Sequence, residues 1–164
     1  MKAHKINKRI TFLLFCVLLI LLVGCKATNS TEGTDKNTTP EVTGNIKNQE
    51  IAERCLQVLT DNLAAATTEN IDNYLKTISE DSRSATKKEM TAFFSKYDLR
   101  HRLLSFEIVK QEKKSLLVEA RQETINEGKE KYRDHVTQAF HTFVLEDGQW
   151  RIKETTMMDT QFLD

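Results

Sequence analysis

The hydrophobic period of this chain changes once, and that switch limits the folds open to it more than any other feature. Between residues 51 and 97 apolar residues recur at helical spacing: Ile51, Cys55, Leu59 and Leu63, flanked by Leu56 and Val58, then Ile71, Tyr74, Leu75 and Ile78. Thr86 and Glu89 stand at capping-box spacing ahead of Met90, Phe93, Phe94 and Tyr97, which predicts that a third helix begins there. After Asp98 the period drops to two. Leu104, Phe106 and Ile108 alternate with polar residues, Leu116, Val118 and Ala120 follow a charged turn at Gln111 to Lys114, and two longer strands run from His135 to Leu145 and from Trp150 to Met158. Asp147-Gly148 between the last two suits the positive φ angles of a type I′ hairpin. Three helices and then a four-stranded antiparallel meander predict an α+β fold, with the helices packed on one face of a curved sheet.

The segment ahead of this pattern is of another kind. Lys2, Lys5, Lys8 and Arg9 precede an apolar run from Ile10 to Val23 that is too short for an ordinary membrane span. The run closes on Leu22-Val23-Gly24-Cys25, which resembles the lipobox of bacterial lipoproteins. The resemblance implies a signal peptide over residues 1–24, diacylglycerol on the Cys25 sulfur, and a protein held by lipid on the extracytoplasmic side of the cell membrane. Residues 25–48 hold Thr, Asn, Ser, Lys and Glu, the only proline (Pro40), and very little that is apolar. Such a stretch buries too little surface to offset its ordering entropy, so it is expected to be a disordered tether, with the domain spanning residues 49–164.

Charge narrows the range of partners. Cleavage before Cys25 removes four of the 24 basic residues and none of the 24 acidic ones, leaving 20 against 24. A mildly acidic chain with interspersed signs offers no dense basic surface, so nucleic acid is rejected as a partner. Of the three cysteines, only Cys55 remains once Cys16 leaves with the signal and Cys25 carries lipid. No disulfide framework exists, and Cys55, in a helical apolar repeat, is expected to act as a small buried hydrophobe. No metal-ligand spacing is visible, and no cofactor is expected.

Several of these motifs together resemble the nuclear transport factor 2-like, or cystatin-like, cone fold: the long first helix, the short second helix ending at Ile78-Ser79-Glu80-Asp81, the long bent strands, and the ending Asp147-Gly148-Gln149-Trp150-Arg151-Ile152. Tyr97-Asp98-Leu99 leading into Leu103-Leu104-Ser105-Phe106 resembles exported members of that group. The resemblance implies a conical pocket between sheet and helices, which enzymes of the group furnish with an Asp, His or Tyr, and which other members use for binding alone. It also implies a possible homodimer formed through the sheet.

A two-residue hairpin loop pairs Leu145 with Trp150, Phe143 with Ile152 and, continued without interruption, His141 with Glu154. Trp150, Ile152, Phe143 and Ala139 make that face the buried one, so Trp150 is expected in the core. There His141 and Glu154 would form a general base with its orienting partner, or a pair that only satisfies itself and fixes strand register. Tyr74 and Gln122 are placed in the same cavity as ligand-binding candidates. Arg151, Lys153, Gln138 and Asp159 fall on the wetter face. His101 between two arginines reads as a solvated edge residue, His135 has no evident partner, Phe93, Phe94 and Tyr97 read as core, and Lys87-Lys88 as a solvated face. The functional expectation is a tethered module that binds a small molecule or a protein. The alternative is an isomerase- or dehydratase-like enzyme using His141 and Glu154.

Overall fold

The computed structural model describes residues 39–163. The signal segment, Cys25 and the first part of the expected tether lie outside the described residues. The chain runs from strand β1 (Val42–Gly44) through helices α1 (Gln49–Thr67), α2 (Ile71–Lys76) and α3 (Glu80–Phe94) to strands β2 (Leu99–Gln111), β3 (Ser115–Asn126), β4 (His135–Glu146) and β5 (Gln149–Phe162). The strands lie in that order across one sheet; β1 is parallel to β2 and every other pair is antiparallel.

The sheet therefore has five strands rather than the expected four, and the additional one comes from the segment read as tether. Val42, Thr43 and Gly44 pair with Phe106, Glu107 and Ile108, and Val42 and Ile46 pack against the core. Gly44 has φ of +90°, and a Cβ there would lie 2.4 Å from the Ile108 carbonyl oxygen, so the approach of β1 to β2 requires glycine. Gln111, read as part of a charged turn, is buried and holds the next residues in place. Its Oε1 accepts from the backbone N–H groups of Lys47 (2.6 Å) and Asn48 (3.0 Å), and its Nε2 donates to the Asn48 carbonyl at 2.9 Å. The fold thus begins near Val42, ahead of the expected boundary at residue 49.

α1 starts where Asn48 Oδ1 accepts the Ile51 N–H, and it lays Ala52, Cys55, Leu59 and Leu63 onto the sheet. These meet Phe106 and Ile108 of β2, Leu116, Val118 and Ala120 of β3, Phe143 of β4, and Trp150 and Ile152 of β5. Burial of each large apolar side chain among them contributes about 1.5–3 kcal/mol. Cys55 is fully buried in this core, as its repeat predicts, and burial pushes its thiol up to about 12. The third helix begins at Glu80, six residues before the expected Thr86. Ser79 is its N-cap residue, and Glu80 and Asp81 occupy the first turn, where carboxylates complement the helix dipole. The Ser79 N–H donates to the Ile152 carbonyl, which anchors that end of the helix to β5.

Candidate functional site

The β4–β5 hairpin turns at Asp147 (φ 48°) and Gly148 (φ 79°), and it pairs Leu145 with Trp150 and Phe143 with Ile152 as the sequence predicts. Trp150 is buried, with 6% of its surface exposed. The next pair departs from the expectation. A bulge at this point places Glu154 opposite Thr142 and Thr155 opposite His141. Glu154 therefore points away from the His141 face and is exposed, while His141 is buried. The expected His141–Glu154 acid-base pair does not form. The bulge spares the fold the cost of moving a carboxylate out of water beside an imidazole whose own burial favours the neutral form.

His141 is instead held by neutral partners. Its Nδ1 lies 2.9 Å from Thr155 Oγ1, and its Nε2 faces the Gln122 side-chain amide nitrogen. With that amide donating to Nε2, Nδ1 carries the proton and donates to the threonine hydroxyl. Burial pushes the ring down to about 4, so it is uncharged near neutrality. Both ring nitrogens are engaged, which gives His141 the part of a buried cross-strand tie. Gln122, read as a ligand-binding candidate, is thus in direct contact with His141.

Tyr74 serves elsewhere. Its ring packs edge-on against Phe94 of α3 at 5.7 Å, its carbonyl accepts from Thr77 Oγ1 at 2.6 Å, and burial raises its phenol against a lowering hydrogen bond from Asn62. Asn62, which the sequence reading did not single out, is buried and donates to Thr77 Oγ1 at 2.8 Å, tying α1 to the end of α2. The histidines at the far end of the sheet also differ from expectation. His101 is half-buried, with Nδ1 3.1 Å from Thr124 Oγ1, and burial together with nearby His135 holds it down to about 4. His135 packs against Tyr132 and Phe162. Phe94 is core as read, whereas Phe93 and Tyr97 are half-buried in a ring cluster with Tyr132. Among the described residues, no three His, Cys, Asp or Glu side chains converge to hold a metal ion.

Two adjoining cavities lie along α1, apart from a third of about 400 Å³ at its start beside Gln111. A cavity of about 390 Å³ between α1 and α2 is lined by Asp61, Ala64, Ala65, Thr68, Asn73, Lys76 and Thr77. A neighbouring one of about 350 Å³ shares Asp61, Lys76 and Thr77 and continues past Arg54 and Val58 to Trp150 at the hairpin. Together they form a groove with small apolar residues and the indole on its walls, Arg54 and Lys76 supplying positive charge, and Asp61 a negative one. Lys76 Nζ donates only to the neutral Asn73 Oδ1 among the described residues, and Asp61 accepts from the neutral Gln57 side chain. Neither Asp61 nor Lys76 forms an ion pair among the described residues, and both are exposed. Sequence periodicity could not have found this groove, because its residues come from α1, α2 and the β4–β5 hairpin and meet only in the folded chain.

Residues 57–163 match the family described as the C-terminal domain of anti-sigma-I factor RsgI9. The chain matches no curated protein. Among solved structures it is similar to a candidate aromatic ring hydroxylase from Novosphingobium aromaticivorans (TM-score 0.61, 17% identity, 70% of this chain and 94% of that one). It is also similar to a candidate dehydratase of the nuclear transport factor 2-like family from Streptomyces avermitilis (TM-score 0.57, 8% identity, 65% and 93%). A third is a protein with a cystatin-like fold from Nostoc punctiforme (TM-score 0.56, 12% identity, 70% and 93%). These likenesses show the cone fold expected from the sequence motifs, and at such identities they show the fold alone.

Proposed function

The chain belongs to the family of the anti-sigma-I factor RsgI9 C-terminal domain, and from that premise we propose that it is the binding module of a lipid-anchored, extracytoplasmic protein. The lipobox-like Leu22-Val23-Gly24-Cys25 supports the anchoring, and the mildly acidic balance of the chain after cleavage before Cys25, 20 basic against 24 acidic residues, supports a partner other than nucleic acid. The observation that carries the binding role is the α1 groove, where Asp61 and Lys76 face a shared space and form no ion pair among the described residues. Groups of both signs around a partly apolar floor suit a small zwitterion such as a short peptide, whose amine and carboxylate would each meet an opposite charge.

Trp150 is the only tryptophan and lines the groove, so its fluorescence reports directly on occupancy. Titration with Gly-Gly should change the Trp150 emission in a saturable way. The same titration with acetylglycine or glycinamide, each lacking one charge, should require much higher concentrations. Asp61→Ala and Lys76→Ala should each weaken the response without unfolding the protein. A response to Gly-Gly no different from that to the two singly charged probes would remove the zwitterion reading. For the anchoring, Cys25→Ala should release the protein from the membrane fraction, and mass analysis of the natural protein should find diacylglycerol on Cys25.

A further inference from the structure

All the large hydrophobic side chains exposed among the described residues lie on one segment: Met157 (73%), Met158 (55%) and Phe162 (47%). That segment is the outer half of β5, at the edge of the sheet, and every residue from Lys153 to Phe162 is exposed. Between Glu154 and Phe162 there is no proline and no lysine, the usual guards of an open edge. The edge is closed only at its inner end. Ile152 donates its N–H to the Thr77 carbonyl and accepts at its carbonyl from Ser79, and Ser82 Oγ donates to the Lys153 carbonyl.

We propose that this free edge pairs antiparallel with the same edge of a second copy of the chain, centred on Thr156. The register follows from three observations. Ile152 turns both backbone groups outward, so alternation past the bulge makes Thr155 and Met157 the next residues that do so. A two-fold axis at Thr156 sets Thr155 of one copy opposite Met157 of the other, where the two can exchange both backbone bonds, and symmetry repeats the exchange. The same axis sets Lys153 of each copy opposite Asp159 of the other. Neither residue forms an ion pair among the described residues.

Other centres fit less well. An axis between Thr155 and Thr156 would set residues of opposite faces against each other, since successive side chains alternate across a strand. Pairing about Thr156 spans Lys153 to Asp159 and stops at Ile152, whose edge is already occupied by Thr77 and Ser79, whereas an axis at Thr155 would stop at Met157 and leave Asp159 without Lys153 opposite it. An axis at Asp159 would set the two Asp159 carboxylates directly opposite each other, and like charges so placed are destabilising. The occupant that the charges complement is therefore the same strand.

Residues on the axis in a pair that does not exchange hydrogen bonds stand about 4.5 Å apart at Cα, within disulfide reach. Single cysteines would be placed in the full chain in membranes and oxidised, with the unsubstituted chain setting the background from Cys16, Cys25 and Cys55. Thr156→Cys should give a product of twice the chain mass, several-fold above Thr160→Cys and above Phe140→Cys on the outer sheet face. Adding Asp159→Lys to Thr156→Cys should reduce that product, and further adding Lys153→Asp should restore it. No product above background at Thr156→Cys would overturn the proposal, as would a stronger one at Phe140→Cys, a product of another mass, or failure of the second charge reversal to rescue the first.

Discussion

The two halves of β5 belong to one strand and one hairpin, yet they live in different environments. From Gln149 to Ile152 the strand has β4 on one side and, at Ile152, the Thr77–Ser79 segment on the other, with Trp150 and Ile152 in the core. From Lys153 to Phe162 β4 is its only neighbouring strand, Ser82 and Arg133 touch only the two ends, and no residue is buried. The bulge after Ile152 marks the change. The comparison teaches that register is fixed where large apolar side chains and a second neighbour agree, and is set by local solvation where neither is present.

Trp150→Ala should have the largest effect on this contrast, because it empties a core position of the inner half; loss of about 3–5 kcal/mol is the usual range. Denaturant unfolding measures it, and a loss below about 1 kcal/mol, the scale of surface substitutions, would mean that the hairpin does not anchor the core. The chain's sole tryptophan should also emit at the wavelength of a buried indole in the folded protein.

Acid should weaken the fold through the ring that ties the outer half to the body of the sheet. His141 titrates near 4 when folded and near 6.5 when unfolded, so the unfolded chain binds more protons between those values. Stability should be full above about pH 6.5 and fall as pH drops toward 4, by up to roughly 3 kcal/mol for His141. His101 acts in the same direction. His141→Gln should remove about half of this pH dependence while His101 keeps the rest; an unchanged profile in unfolding midpoints between pH 7 and 4.5 would refute the assignment.

The opposite edge of the sheet offers a smaller test. There β1 shields β2, and Gln111 satisfies two backbone donors and one acceptor between β1 and α1. Gln111→Ala should cost about 1–3 kcal/mol, the penalty for leaving such groups without partners. It should also speed amide exchange at Lys47 and Asn48, whereas unaltered exchange would separate the side chain from that role.

Met157→Ala should have the smallest effect on folding, within about 0.5 kcal/mol, as surface substitutions usually do. A loss of several times that amount would show that the outer half of β5 is packed in the folded monomer, and the contrast between its halves would disappear.

Much of the architecture was legible from the sequence for physical reasons. Ile51, Cys55, Leu59 and Leu63 cannot all reach a core except along one helix face, and Trp150 and Ile152 cannot reach one together except on one face of a strand. Asp147-Gly148 supplied the backbone angles that the hairpin turn needs, and these fix the pairs beyond it as far as Phe143 and Ile152. The α+β class, the order of the helices and long strands, and the buried thiol of Cys55 rest on that local chemistry alone.

Tertiary structure decided the remainder. Lys153-Glu154-Thr155-Thr156 is polar throughout, so no apolar alternation marks its register, and the contact of Ile152 with Thr77 and Ser79 together with the solvation of Glu154 places the bulge. β1 is three residues of a polar stretch, and it exists because Phe106 to Ile108, more than sixty residues later, present an unpaired edge that Gly44 can approach. The groove along α1 depends likewise on Asp61, Lys76 and Trp150, which are brought together by packing across the fold. Local sequence sets what each segment can become, because dihedral preference and hydrophobic period act within a few residues. Pairings between distant segments are set by the solvation and hydrogen bonding of groups that meet only once the core has formed.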